Sequence, residues 1–553
     1  MIQKIKHLLK KIPGSYDISC LISDPKMEFK NWLEYFDLKR RFGGKKKHTG
    51  ERRGKLLIIS LMGNLTSVAK MEILLAKSAD FAGLEPVVLT NRWSWANRFY
   101  RAFGIKSFVY FDDFLAEARK HVNHAEVEKA SHHIKTFDEL MGYSFNGVNT
   151  GKYICSSLVR KTYSGVVEMD DPETQKKIRE YLVETSINTM AALKIYEKHN
   201  PDAVLFLERG YTPYGEFFDV ALNNKLNVVQ WCGSHKSNSI ILKRYNKNNQ
   251  DQHPASLSPK TWNHLEELKW DAQKSKAIKE ELFKNYASGE WFSDVGTQVR
   301  VKMSGADEVK KELGLDLSKK TAIVFSHLFW DATFFWGEDI FTNYREWFVE
   351  TVKAACKNDK LNWVLKLHPA NVVKLNRDGY KGELVEKQSI RESIGKLPPH
   401  IKVLEPSTKI STYSLFKVMD YCVTVRGTIG IESAMFGIPV FTAGTGRYDN
   451  HGFTIDSPNV EEYMKKMGKI ETYPALTPHQ IELAQKFAYG TFVLRPFDLK
   501  SISVEYAKDK KATQHVKFLA KNLEDLKHAE DVTAFGEWLV HSKDEDYVNE
   551  SKL

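Results

Sequence analysis

Short apolar runs, several of them ending at glycine or proline, alternate with stretches of helical spacing in two separate sets along this chain. That pattern limits the possible folds more than any other feature. In the first set, 55-KLLIISLMGN-64 precedes 66-TSVAKMEILLAKSADFAG-83, which stops at Gly83, and 85-EPVVLTN-91 follows. Strand, helix and strand with short connections make a βαβ unit, which requires a parallel sheet. The pattern returns at 203-AVLFLERG-210, a helix over 212–224 and 226-LNVVQWCG-233. The polar stretch of about 112–200 between them reads as a helical insertion or layer. The second set comprises 321-TAIVFSHL-328, a helix over 342–358, 362-NWVLKLHPA-370, 401-IKVLEP-406, 419-MDYCVTVRG-427, a helix over 429–437 and 438-IPVFTAG-444.

The expected fold class is α/β, with two Rossmann-like, doubly wound lobes, a basic N-terminal helix and a C-terminal helical tail. The expected divisions are a basic amphipathic segment and linker (1–54), an N-terminal lobe with a helical insertion (55–245), a helical bridge (246–315), a C-terminal lobe (316–465) and C-terminal helices (466–553). In such sheets ligands bind beyond the carboxyl ends of the strands, and a cleft between two lobes is the expected site.

The 553 residues are 42% apolar and 27% charged, ordinary for a globular chain. This excludes fibrous and wholly disordered readings. No apolar run approaches the roughly 18 residues that span a bilayer. The net charge of +11 is unevenly placed, with 15 basic and 6 acidic residues in 1–55 and near balance in the rest. Ile2, Ile5, Leu8, Leu9 and Ile12 recur at helical spacing between lysines. Residues 1–14 are therefore expected to touch an anionic inner-membrane surface, although the pattern also fits an ordinary surface helix. A further basic cluster, Lys39-Arg40-Arg41 and Lys45-Lys46-Lys47, lacks the interleaved aromatics of a nucleic-acid site, so no nucleic-acid partner is expected. The first residues do not form a secretory signal. Five scattered cysteines form no CxxC, which fits a reducing cytoplasm.

The segment 419–444 carries the most chemistry. A buried strand runs into Arg426-Gly427-Thr428 and a helix begins. Gly427 permits close backbone approach, Thr428 is a suitable N-cap, and Arg426 can pair with a phosphate or carboxylate. Glu432, one turn in, is placed to accept from a ribose or to complement the helix dipole. The glycine at 430 implies close packing or ligand approach. In 362–370, strand alternation sets Lys366 and His368 on one face at the carboxyl end, and Pro369 ends the strand. This pair is suited to a nucleotide's phosphates, and His368 to donating to a departing oxygen. Ser326-His327 ends the first strand of the second lobe. In the first lobe Glu208, before Arg209 and Gly210, is a candidate general base for an acceptor hydroxyl or one half of a salt-bridged turn. Gly63-Asn64, the loop after the first strand, fits the same cleft and is placed, with Arg209 and Gly210, to approach an acceptor or phosphate, as Ser326-His327 is to approach the donor nucleotide.

There is no GxxxxGK[ST], HExxH or GxSxG, and the first strand is followed by GNLTSVAK rather than GxGxxG. No DxD occurs in a metal-binding context, so neither a metal nor a cofactor is expected. KLHPA (366–370), VRGTIGIESAMFGIPV (425–440) and GTGRYDNHGFTIDSPNVEEY (444–463) together resemble the capsule polysaccharide biosynthesis family of bacterial glycosyltransferases, which includes Kdo-transferase-like enzymes. The resemblance covers about 320–465. It implies a GT-B fold with the donor nucleotide in the second lobe, His368-Pro369 near the nucleotide, and Gly427-Thr428 near its phosphates. It also puts the base motif of related families on Glu208-Arg209-Gly210. The implied partners are a nucleotide sugar and a lipid-linked glycan of capsule or O-antigen type. Two other readings stay open on the same residues: a teichoic-acid-type glycerophosphotransferase and a non-catalytic, membrane-peripheral assembly protein.

Overall fold

The computed structural model describes residues 19–22, 24–43, 52–63, 65–292, 301–507 and 513–552. The expected contact through 1–14, the cluster at 45–47 and Asn64 lie outside them. Fourteen strands are present among the described residues. They are β1 (Gly54–Ile59), β2 (Leu84–Thr90), β3 (Ser107–Tyr110), β4 (Ala203–Phe206), β5 (Asn227–Gly233), β6 (Ser239–Tyr245) and β7 (Thr321–Phe325), followed by β8 (Asn362–Lys366), β9 (Ile401–Leu404), β10 (Tyr421–Thr424), β11 (Val440–Thr442), β12 (Phe497–Asp498), β13 (Ile502–Tyr506) and β14 (Gln514–Phe518).

The first sheet runs β12-β6-β5-β4-β1-β2-β3 and the second β11-β10-β7-β8-β9. All pairs in the second sheet are parallel. In the first, β6 and β12 add antiparallel edges to a parallel core. Each lobe thus has the same parallel core, in which the first strand of the lobe lies between its second and fourth. Leu57 sits between Val87 and Val204, and Val324 between Leu365 and Val423. The chain reverses its winding between β1 and β4 and between β7 and β10. Two crevices therefore open at the carboxyl ends of those pairs.

Both sheets are covered on both faces, which explains their continuous apolar runs. Leu56 and Ile58 join one core, with Leu57 and Ile59 in the other. In the second lobe Ile323 and Phe325 face one side, Ala322 and Val324 the opposite side. The polar stretch at 112–200 forms the expected helical layer, whose longest member, Pro172–His199, is capped by Asp171. The bridge helices Pro259–Glu267 and Ala272–Ser288 pack into the second lobe's core through Leu265, Ile278, Leu282 and Tyr286.

The tail departs from the helical expectation. After helix Pro478–Tyr489 the chain crosses back to the first lobe, where β12 extends the sheet and β13–β14 form a hairpin. Ile502 and Val504 alternate with Ser503 and Glu505, so one face of this hairpin is apolar and the other solvated. The following helix, Glu530–His541, lies on helix Thr66–Phe81. Gly536 makes that approach possible, because a Cβ there would stand 3.0 Å from the Ser78 carbonyl oxygen.

One buried carboxyl supports the loop after β4. Glu216, in the first turn of helix Tyr214–Asn223, accepts from the Thr212 hydroxyl, while its other oxygen has no partner. Burial pushes its pKa up to about 8. The folded chain keeps a proton that the unfolded chain releases above about pH 4.5, so this group's share of stability is lost as pH rises from about 4.5 through 8. Glu216→Gln is therefore expected to be neutral near pH 4.5 and stabilising by on the order of 3 kcal/mol at pH 8.5. Urea unfolding across that range checks this, and a pH-independent difference contradicts it.

Candidate functional site

The second lobe's crevice lies between the loops that leave β7 and β10. His327, two residues beyond β7, ties them together. Its Nε2 accepts from the backbone N–H of Val425 at 3.2 Å and of Arg426 at 3.4 Å, and its ring packs on Tyr344 at 4.7 Å. Burial, then the neighbouring His368, Arg426 and Arg447, holds it neutral, with its pKa well below the ordinary value.

His368 stands beyond the end of β8. Its backbone N–H donates to the Ser326 hydroxyl at 3.0 Å, and its Nδ1 accepts from the Ala370 N–H at 3.2 Å. Burial, with help from the Lys366 charge, pushes its pKa down to about 3. A neutral ring whose Nδ1 is already an acceptor carries its proton on Nε2. His368 therefore presents an N–H donor. Behind this loop Glu386, its pKa raised by burial to about 7, accepts from Asn371 at 2.8 Å. Lys366 is buried, and burial alone lowers its pKa to about 8, so no counter-ion stands beside it among the described residues.

Arg426 is 4% exposed. It pairs with Asp339 and donates to the Glu338 carbonyl at 3.2 Å, leaving Nε and Nη1 without partners. Arg447 is half-buried beside it, with Nη1 3.4 Å from the Arg426 carbonyl and a buried Nε without a partner. Sequence reasoning missed Arg447 and Asp339. Arg447 had a visible signal, since it follows two glycines in 444-GTGR-447; Asp339 had none. Gly427 carries its role through close packing: its N–H bonds Thr424 Oγ1, and its carbonyl accepts from Tyr448 at 2.7 Å. Gly430 lies against the Tyr448 hydroxyl, so the close-packing alternative describes it.

Several expected roles are redirected. Thr428 does not cap helix Ile429–Ala434; its hydroxyl turns to Glu432. Glu432 is buried against the Tyr286 hydroxyl, with its pKa raised by burial to about 7. It anchors the bridge helix and does not face a ribose. Gly63 packs on Ser94, whose hydroxyl donates to its carbonyl at 3.2 Å.

In the first lobe, Arg209 is 3% exposed and does not face an acceptor. Its guanidinium lies 4.4–4.5 Å from the ring centres of Phe218, Tyr245 and Trp336 and donates to the carbonyls of Gln250 and Gln252. Desolvated cation–π contacts of this kind hold the lobes' seam. Glu208 bends over its own turn, accepting from the N–H groups of Arg209 and Gly210 at 2.7 and 2.8 Å. Gly210 rests on the Phe335 ring, where no Cβ fits. Tyr211 donates to Asp331 at 2.8 Å, and Asp331 also pairs with Lys374. The loop after β7 thus spans from Arg426 to the loop after β4. This brings both sheets' carboxyl ends together, with Lys366, His368, Arg426 and Arg447 on one side and Glu208 on the other.

No protein-family model and no curated protein matches the chain. Similar solved structures include KpsC, a β-Kdo 2,4-transferase of Thermosulfurimonas dismutans, at 14% identity over 59% of this chain and 87% of that one, with a TM-score of 0.33. A UDP complex of MnaA from S. aureus is 13% identical over 79% and 92%, with a TM-score of 0.29. The UDP-GlcNAc 2-epimerase of Neisseria meningitidis bound to UDP-GlcNAc is 12% identical over 78% and 97%, with a TM-score of 0.26. The fold assignment stands on the strand order and register described above.

Proposed function

We propose that the protein is a glycosyltransferase. In this reading it moves a sugar from a nucleotide-sugar donor, bound against the second lobe, to a growing, lipid-linked bacterial surface polysaccharide of capsule or O-antigen type. The observation that carries this reading is the buried positive charge at the β7/β10 crevice. The three unpartnered guanidinium N–H positions and Lys366 lie buried where an α/β sheet takes its ligand. Buried charges and donors without partners are costly, so such a cluster fits an anionic ligand. A nucleotide phosphate supplies that anion. The motifs at 366–370, 425–440 and 444–463 point the same way.

In this mechanism the acceptor hydroxyl oxygen bonds to the anomeric carbon while the bond from that carbon to the donor phosphate oxygen breaks. Arg426, Arg447 and Lys366 stabilise the charge gathering on the departing phosphate, and His368 Nε2–H donates to it. Glu208 takes the acceptor's proton once its carboxylate turns from its own backbone. The chain's own cations fill the role that a metal ion plays elsewhere.

A thermal-shift screen against CMP, CDP, UDP, GDP and dTDP tests this. Saturation at one hundred times Kd stabilises a native state by about 2.7 kcal/mol. One of the five is expected to raise the melting temperature clearly at pH 7. The shift is expected to shrink above pH 8, where Lys366 loses its proton in the free protein. It should lose that pH dependence in Lys366→Met. No shift with any nucleotide at millimolar concentration contradicts the proposal and favours the non-catalytic assembly reading.

A further inference from the structure

Helix Pro25–Phe42 has two unlike faces. One is built into the first lobe. Glu28 pairs with Arg98 at 2.7 Å, and Phe42 stacks on Phe103 at 4.5 Å. Leu38 and Asn31 are buried beside them. The other face holds Phe29, Leu33 and Phe36, at 65%, 57% and 57% exposure, and Leu21 and Ile22, shortly before the helix, are 56% and 79% exposed. Spacings of four and three residues align the helical three in one stripe. Of ten large apolar side chains exposed among the described residues, these five fall within sixteen residues; the others are spread along the chain. Isolated exposed apolar residues need no explanation, but a cluster marks an interaction surface.

The charge on this helix selects the partner. Lys26, Lys30, Lys39 and Arg40 are exposed. The helix's acids are already engaged: Glu28 by Arg98, Glu34 by Lys70, and Asp37 by Arg40 and Arg41. A stripe of Phe and Leu edged by exposed cations matches the boundary between acyl chains and anionic headgroups. We propose that this face docks the protein on an anionic bilayer surface, with Leu21, Ile22, Phe29, Leu33 and Phe36 entering the headgroup boundary and Lys26, Lys30, Lys39 and Arg40 meeting lipid phosphates. The proposal uses none of residues 1–14 and does not depend on the reaction proposed above.

Co-sedimentation of the full chain with phosphatidylcholine vesicles, with and without 30% phosphatidylglycerol, tests the proposal. Binding is expected at least ten-fold tighter to the anionic vesicles. Phe29→Ser combined with Leu33→Ser and Phe36→Ser should lower it ten-fold or more, with the melting temperature as a control for folding. Replacing Lys26, Lys30, Lys39 and Arg40 by Gln should abolish the preference for anionic lipid. Wild-type protein that fails to bind, or a triple serine variant that binds as tightly as wild type, overturns the proposal. So does wild-type protein that is dimeric by light scattering while the triple variant is monomeric and vesicle binding is unchanged, since the face then joins two copies.

Discussion

Removing the guanidinium of Arg426 is expected to lower turnover of the nucleotide-sugar donor by a factor of about 10² to 10³, the usual loss when one preorganised donor to a developing anion is deleted. The single Arg426→Ala change would also leave the half-buried Asp339 carboxyl without its cation. Arg426→Ala with Asp339→Asn avoids this, and its thermal unfolding should stay close to that of the wild type. Asp339→Asn alone is informative in the opposite direction. Asp339 now holds the charge that a phosphate would take, so its neutralisation should leave turnover intact and tighten nucleotide binding. If the folded double variant keeps more than a fifth of wild-type turnover, the anion site is elsewhere.

The second large effect concerns stability. Asp546 is fully buried, with Lys243 at 3.0 Å, Arg495 at 3.2 Å and the Ser258 N–H at 2.6 Å. The charges of Arg495 and Lys243 outweigh burial and hold its pKa at about 2. Asp546→Ala leaves two buried cations facing each other and is expected to cost about 3–5 kcal/mol. The triple replacement Lys243→Met, Arg495→Met and Asp546→Leu removes every charge together and should cost much less. Urea unfolding of both proteins decides. Equal losses would mean that packing, rather than charge, holds this junction. The native carboxylate's contribution is present above about pH 4 and lost as pH falls towards 2.

What could be read in the sequence followed from local rules. TAIVF at 321–325 and NWVLK at 362–366 are buried on both faces, and such runs announce parallel strands without needing partners. Pro369 after NWVLK and Gly427 after β10 marked the loops of His368 and Arg426, while Ser326 and His327 directly follow the apolar run of β7. What could not be read depends on distant meetings. Arg209 is fixed by rings at 218, 245 and 336, which only the folded chain assembles. Glu432 is taken by Tyr286, 146 positions away. The hairpin of β13 and β14 escaped notice because its solvated face breaks the apolar runs that mark the central strands.

The return of the chain at Phe497 sets an order of assembly. The second lobe, with its bridge helices, has all its strands once residue 442 has left the ribosome, whereas the first lobe waits for β12, for the hairpin and for the helix ending at His541. Domains generally complete in the order they are synthesised. Here the sheet that is begun first is closed last. A truncation before residue 497 would therefore leave the N-terminal lobe, rather than the truncated end, without its edge strand, and a growing chain closes that sheet only after residue 498 has been made.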